Sequence, residues 1–149
     1  MKSIFEIETR KEVINRINAL ETASEPKWGK MTVAQMLRHC SLCEEYYFGN
    51  IKVKRSFFGH LFGKKAIRGI LKDDHSTIGK NAPTSPVFQV ADLVIDFENE
   101  KQKWISLIEG YSTFNNDGFI HWFFGKMTKD QLGQFIYKHC DHHLRQFGV

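Results

Sequence analysis

Cysteine is scarce in this sequence, and long apolar runs are missing. Three cysteines occur in 149 residues. An odd number cannot pair completely, so the chain does not read as a disulfide framework, and a reducing compartment is the expectation. No stretch approaches the roughly 18 apolar residues that a membrane-spanning helix needs, so no membrane span is expected. The opening twenty residues interrupt every apolar run with charge, and no small-residue cleavage site follows. They do not read as a secretory signal, and the expected location is cytoplasmic. Internal repeats and low-complexity tracts are also missing. Hydrophobic residues make up 42% and charged residues 26%, which excludes wholesale disorder. The length suits one domain over residues 1–149.

Acid is missing from one segment. Between Ile51 and Lys72 lie Lys52, Lys54, Arg55, Lys64, Lys65, Arg68 and Lys72 without a carboxylate, seven of the 21 basic residues; the rest of the chain holds 14 basic against 17 acidic residues. The pI near 9.0 therefore reports one segment of an otherwise slightly acidic chain. Phe57, Phe58, Leu61, Phe62, Ile67, Ile70 and Leu71 interleave with those charges. Two readings stand. The aromatics pack down as part of a crossover while the lysines stay in water, which is the expectation adopted. Alternatively the segment forms a surface for phosphate, nucleic acid or anionic lipid. No nucleic-acid-binding motif accompanies it, which argues against nucleic acid.

Capping signals organise the chain. Thr9-x-x-Glu12, Thr32-x-x-Gln35 and Thr128-x-x-Gln131 each match a capping box and each opens a stretch with helical apolar spacing. The spacing predicts helices over 9–20, 32–48, 96–114 and 128–147. Gly49-Asn50 stops the second and Asn115-Asn116-Asp117-Gly118 the third. The inward stripes are Val13, Ile17 and Leu20; Val33, Met36, Leu37, Cys40 and Tyr47; Trp104, Leu107, Ile108 and Tyr111; Leu132, Phe135 and Ile136. The gap between the second and third helices, residues 49–95, holds two of the three prolines. Such a gap carries a crossover or a functional loop. Within it 57–71 fits a short amphipathic helix, and 87–95 fits an extended or helical piece. The expected fold class is all-α: a four-helix bundle with a long crossover between helices 2 and 3.

The histidines stand where apolar residues belong. The stripe of the last helix continues through positions 139, 143 and 147, which are His139, His143 and Phe147. Two imidazoles four residues apart share one helix side within reach of a single metal ion. Two polar rings in a core are costly unless something unites them, and a metal does so by accepting both lone pairs. His39 lies on the stripe of the second helix and can meet the pair, giving a three-histidine site with open coordination positions, the catalytic pattern. His142 lies on the flank of the same surface. His60 and His75 belong to the crossover surface, and His121 can reach the end of the bundle. Cys40 and Cys140 read as core residues, Cys140 against a neighbouring helix. Cys43, one turn beyond His39, can approach the ion as a fourth ligand.

These residues resemble the DinB-like, or YfiT-like, superfamily. Its closing motif corresponds here to His139-Cys140-Asp141-His142-His143-Leu144-Arg145-Gln146. Its other anchor, a Trp followed by a helix start and a single His, corresponds to Trp28 through His39. Phe124-Gly125-Lys126-Met127-Thr128 is similar to a branch of unknown function within the superfamily. The resemblance implies a DinB-type four-helix bundle with His39, His139 and His143 as metal ligands. It implies zinc or nickel as the metal; characterised members of the superfamily include thiol-dependent transferases and isomerases that use low-molecular-weight thiols, while the branch itself has no assigned reaction. Residues 50–95 have no counterpart in it, and Cys43 is an addition to its pattern.

The function expected is that of a metal-dependent enzyme, a transferase in which a bound thiolate attacks an electrophile or a hydrolase in which bound hydroxide does. A dication held by neutral imidazoles lowers the pKa of a bound water or thiol and so supplies a nucleophile near neutral pH. His142 is the candidate catalytic base beside the ion, and Gln35 and Gln146 are candidates for orienting ligands. The expected partners are a small-molecule substrate, a thiol cosubstrate drawn by segment 52–72, and a second copy of the chain in a homodimer. Two rivals remain open: a non-catalytic stress or binding protein with a structural metal, and a partner-binding or nucleic-acid-binding module using segment 52–72.

Overall fold

Thr32 and Thr128 open their helices as the spacing predicts. Each hydroxyl accepts from the backbone N–H three residues on, and the side chain of Gln35 or Gln131 accepts from the threonine's own N–H. Two orphan donors are satisfied at each start. The computed structural model describes residues 1–91, 94–116 and 118–149. Its helices are α1 (Ile7–Asn18), α2 (Val33–Phe48), α3 (Phe57–Ile70), α4 (Phe97–Gly110) and α5 (Lys129–Gln146), with 3-10 turns at Pro86–Phe88 and Tyr111–Thr113. A small antiparallel hairpin, β1 (Ile120–His121) with β2 (Gly125–Lys126), pairs Ile120 with Lys126 and His121 with Gly125. The architecture is mostly helical, with five long helices among the described residues where four were expected with a fifth left open. No helix among them is long and apolar enough to cross a membrane.

The capping box at Thr9 does not form. α1 starts earlier, with Glu6 in the cap position and Thr9 inside the first turn, its hydroxyl donating to the Glu6 carboxylate at 3.1 Å. The cause is tertiary. Ile4 is fully buried and its N–H donates to the Gly133 carbonyl at 3.1 Å, so the chain enters the core before Thr9 is reached. α1 ends at Asn18 rather than Leu20. The buried amine of Lys101 donates to the carbonyls of Asn18 and Leu20 at 2.9 and 2.8 Å, which satisfies carbonyls that the helix end leaves free.

The third expected helix is α4. Asp96 caps it by accepting from Asn99 N–H at 3.0 Å, and after Gly110 the chain tightens into the 3-10 turn at Tyr111–Thr113. Of the predicted break, Asp117 lies outside the described residues, and Asn116 donates its side-chain amide to the Tyr47 carbonyl at 3.0 Å. Of the 87–95 stretch, the 3-10 turn at Pro86–Phe88 covers the start, and residues 92 and 93 lie outside the described residues.

α4 packs on α1 and α2, and α5 packs on α1. The fully buried side chains include Trp104, Met36, Leu37, Ile108, Ile136 and Leu144, each worth about 1.5–3 kcal/mol of transfer free energy for a large apolar group. Glu44 of α2 is buried at the centre of this layer. It accepts from Trp104 Nε1 at 3.4 Å, from Cys140 Sγ at 3.5 Å and from the Tyr111 hydroxyl. Cys140 thus meets a neighbouring helix as expected. Burial pushes the Glu44 carboxyl up to about 7 against those three donors.

α3 is held by its glycine face. A Cβ at Gly59 would stand 2.6 Å from the Phe123 carbonyl oxygen, and one at Gly63 would overlap that oxygen outright. Only glycine lets this helix lie so close to the hairpin backbone. Ile67, on the same face, is buried. Arg55, just ahead of the helix, donates to the carbonyls of His121 and Trp122 at 2.7 and 3.1 Å.

Candidate metal and ligand site

α2 and α5 bring three imidazoles together because their inward stripes run through residues 39, 139 and 143. The ring centres of His39 and His143 are 4.8 Å apart, those of His139 and His143 4.7 Å, and those of His39 and His139 5.5 Å. His39, Cys43 and His139 each offer a donor atom, and these atoms lie within 4.8 Å of one another. The tight donor set therefore contains Cys43. His143 stands ring to ring with both histidines of that set.

The hydrogen bonds determine which ring nitrogen is free. His39 Nδ1 lies 2.8 Å from the Phe88 carbonyl oxygen. A carbonyl only accepts, so Nδ1 carries the proton and Nε2 keeps its lone pair. That lone pair faces Cys43 Sγ at 3.8 Å, and the thiol donates to it. His143 is set through a longer chain. Gln146 donates its amide NH₂ to the Trp28 carbonyl at 2.8 Å, which turns its Oε1 toward His143 Nδ1 at 2.9 Å. His143 Nδ1 therefore also donates, and its Nε2 is also free. His139 completes the picture: its Nδ1 is buried with no hydrogen-bond partner among the described residues.

Burial holds all three imidazoles neutral, with the pKa of His139 and His143 well below the usual value and that of His39 below it. Burial, then the nearby Glu44, pushes the Cys43 thiol well above its usual range. The donor set thus comprises soft and borderline groups with free lone pairs and one orphaned buried nitrogen, and it fits a divalent cation of the borderline class. A His–Cys–His cluster at this place can hold a metal ion. The thiol proton now shared with His39 Nε2 is the one that metal binding would displace.

The cluster lines a cavity of about 530 Å³. Aromatic and aliphatic side chains dominate the wall, among them Trp28, Tyr47, Ile78, Phe88, Trp122 and Phe135; no carboxylate among the described residues lines it. The histidines and Cys43 gather in this lining together with Asn81, Gln89 and Gln146. The lining is thus largely apolar with a few polar groups gathered at the cluster.

The other predicted residues fall as follows. His142 lines the cavity and is buried, with its ring edge-on to Trp28 at 5.6 Å; burial lowers its pKa, and a hydrogen bond to the Ile78 backbone opposes that. Gln35 is occupied by its capping box, whereas Gln146 orients His143. His121 lines the cavity and stacks on Phe124 at 4.4 Å. His60 and His75 are exposed. Sequence reasoning missed the crossover's share of the site: the Phe88 carbonyl, Ile78 and Asn81. The one signal for them was the length of the gap itself.

The family described as "Protein of unknown function (DUF1569)" matches residues 2–148. The chain belongs to that family. No curated protein and no solved structure matches it. The match runs through every residue of the site, so the cluster and its cavity lie inside the family's own span.

Proposed function

We propose that this chain is a single-domain, metal-dependent enzyme of the DinB-like kind, acting on a small apolar molecule with a thiol or water as nucleophile. His39, His139 and His143 hold the ion, with Cys43 as an additional donor, and zinc or nickel suits this donor set. The observation that carries the reading is the convergence of His39, Cys43 and His139 within 4.8 Å in the lining of an apolar cavity. A divalent ion there supplies Lewis-acid chemistry that lowers the pKa of a water or thiol.

The chain's own residues do the rest. Gln146 fixes the tautomer of His143 and the Phe88 carbonyl fixes that of His39. Trp28, Phe88 and Phe135 give the wall beside the ion an apolar surface. His142 is held neutral by burial, so a ring nitrogen can accept a proton from the nucleophile.

Elemental analysis of the purified wild type and of His143→Ala tests this reading. Stoichiometric zinc or nickel in the wild type and its loss in the variant are expected. Metal-free wild type under non-chelating conditions rejects the metalloenzyme, and undiminished metal in the variant reassigns the set to His39, Cys43 and His139.

One observation favours a second reading. A buried thiolate ligand is common in closed structural sites, so Cys43 fits a binding protein whose metal is structural. The two readings separate on chelation. A structural ion is needed for the fold, whereas the catalytic reading expects the metal-free protein to stay folded with a cooperative melting transition, lowered only by the lost binding energy of the ion.

A further inference from the structure

The aromatics of the basic segment do not pack down. Phe57, Phe58, Leu61 and Phe62 on α3 are 73%, 64%, 62% and 55% exposed. They fall at i, i+1, i+4 and i+5, the side of the helix opposite its buried glycines. Gly59 and Gly63 are pressed on the Phe123 backbone and Ile67 is buried. Ala66 and Ile70, on the inner flank, line the cavity. The helix is pinned from within, and its large apolar side chains point outward. A contiguous exposed patch of this kind marks a contact surface.

The charges identify the partner. Lys52, Lys54, Lys64, Lys65, Arg68 and Lys72 are all exposed around the patch. The outer face of α3 carries its apolar groups in the first half and Lys64, Lys65 and Arg68 in the second, with no carboxylate between residues 51 and 72. A second copy docking by two-fold symmetry would set this basic face against itself, which like charges oppose. Duplex nucleic acid would accept the bases but offers no apolar layer for Phe57, Phe58, Leu61 and Phe62. An anionic bilayer satisfies both halves at once. Its acyl boundary takes the aromatic and leucine side chains, and its headgroups take the lysines and the arginine. We propose that α3 is a docking element for an anionic lipid surface. The metal site plays no part in this docking.

Co-sedimentation of the full chain with vesicles tests it. One set is pure phosphatidylcholine; the other carries about one-third phosphatidylglycerol, the anionic component that a polybasic face senses. The protein is expected to pellet with the anionic vesicles and not with the neutral ones, and added salt is expected to release it. Phe58→Ser/Leu61→Ser should weaken binding about tenfold or more, from the lost apolar insertion. Lys65→Glu/Arg68→Glu should do so separately through charge. All four residues are exposed, so both variants should keep the wild-type melting curve. Failure to pellet, equal pelleting with neutral vesicles, or binding indifferent to both variants overturns the proposal. A dimer in solution that Phe58→Ser/Leu61→Ser dissolves, or an oligonucleotide complex that the same variant abolishes, also overturns it, because another occupant then owns the face.

Discussion

His39 of α2 donates from Nδ1 to the carbonyl oxygen of Phe88, 2.8 Å away and 49 residues along the chain. This bond makes the crossover part of the candidate metal site. It presents the Nε2 lone pair of His39 to Cys43, and the Trp28–Gln146–His143 chain does the equivalent for His143.

Orientation of this kind has a measurable value. Gln146→Leu keeps the volume at residue 146 but removes the acceptor for His143 Nδ1. Zinc affinity, measured by competition with a chromophoric chelator, is expected to fall about 10–100-fold, the usual loss when an outer partner of a ligand is removed. The far-ultraviolet circular dichroism should stay unchanged. An unaltered affinity would show that His143 does not depend on Gln146 for its tautomer.

Cys43 can be read through its sulfur. Cobalt added to the metal-free protein is expected to show thiolate-to-metal charge-transfer absorption in the wild type. In Cys43→Ala that absorption should disappear while weaker cobalt binding persists through the histidines. Complete loss of cobalt in Cys43→Ala would make Cys43 an essential ligand rather than an additional one.

Acid should destabilise the fold through His121. Its Nδ1 accepts from the N–H groups of Phe123 and Phe124 at 3.1 and 3.2 Å, and burial, then the Arg55 guanidinium, pushes its pKa down to about 3 from 6.5. The unfolded chain takes up a proton here before the folded chain does. The stability tied to His121 is therefore intact above pH 6.5 and is lost as pH falls toward 3, at up to about 1.4 kcal/mol per pH unit. Glu44 acts in the opposite sense, since its pKa is raised from 4.5 to about 7 and its contribution is lost as pH rises through that window. Because Glu44 offsets His121 in this window, the effect is read as a difference between proteins: in urea melts from about pH 8 to about pH 5 the wild type should lose stability with acid relative to His121→Asn, whose side-chain oxygen can accept in place of Nδ1. An identical pH dependence in the two proteins would clear His121 of the effect.

The glycines of α3 predict opposite signs within one helix. Gly63→Ala would drive a methyl group into the Phe123 carbonyl oxygen and should cost about 1–3 kcal/mol through forced displacement. A methyl group at Gly69 would meet nothing within 4 Å, so Gly69→Ala should stabilise by about 0.5–1 kcal/mol through helix propensity. Thermal melts of the two variants moving in the same direction would refute the close packing of α3 on the hairpin.

Much of this was legible where local signals act alone. The boxes at Thr32 and Thr128 form because both partners lie within one helical turn of each other, three residues apart. The box at Thr9 was displaced by the contact of Ile4 with Gly133, which no local pattern records. The inward stripes of two helices placed His39, His139 and His143 together, and the i, i+4 relation brought in Cys43. The crossover was illegible because Ile78, Asn81 and Phe88 follow no periodicity. They reach the site through backbone carbonyls and wall contacts that many sequences could supply. The hairpin strands are too short for alternation to show. α3 was legible as a helix, but apolar and basic residues interleave along it, and only the packing of Gly59 and Gly63 reveals which side faces out.

The tryptophans are divided between the two halves of the molecule. Trp28 and Trp122 line the cavity, with Trp28 also under the Lys80 ammonium at 4.7 Å. Trp104 is sealed in the core with its Nε1 on Glu44 at 3.4 Å. Indole emission responds to the charge and water around the ring. The protein consequently carries two unlabelled optical reporters, one for what enters the cavity and one for the protonation of its buried carboxyl.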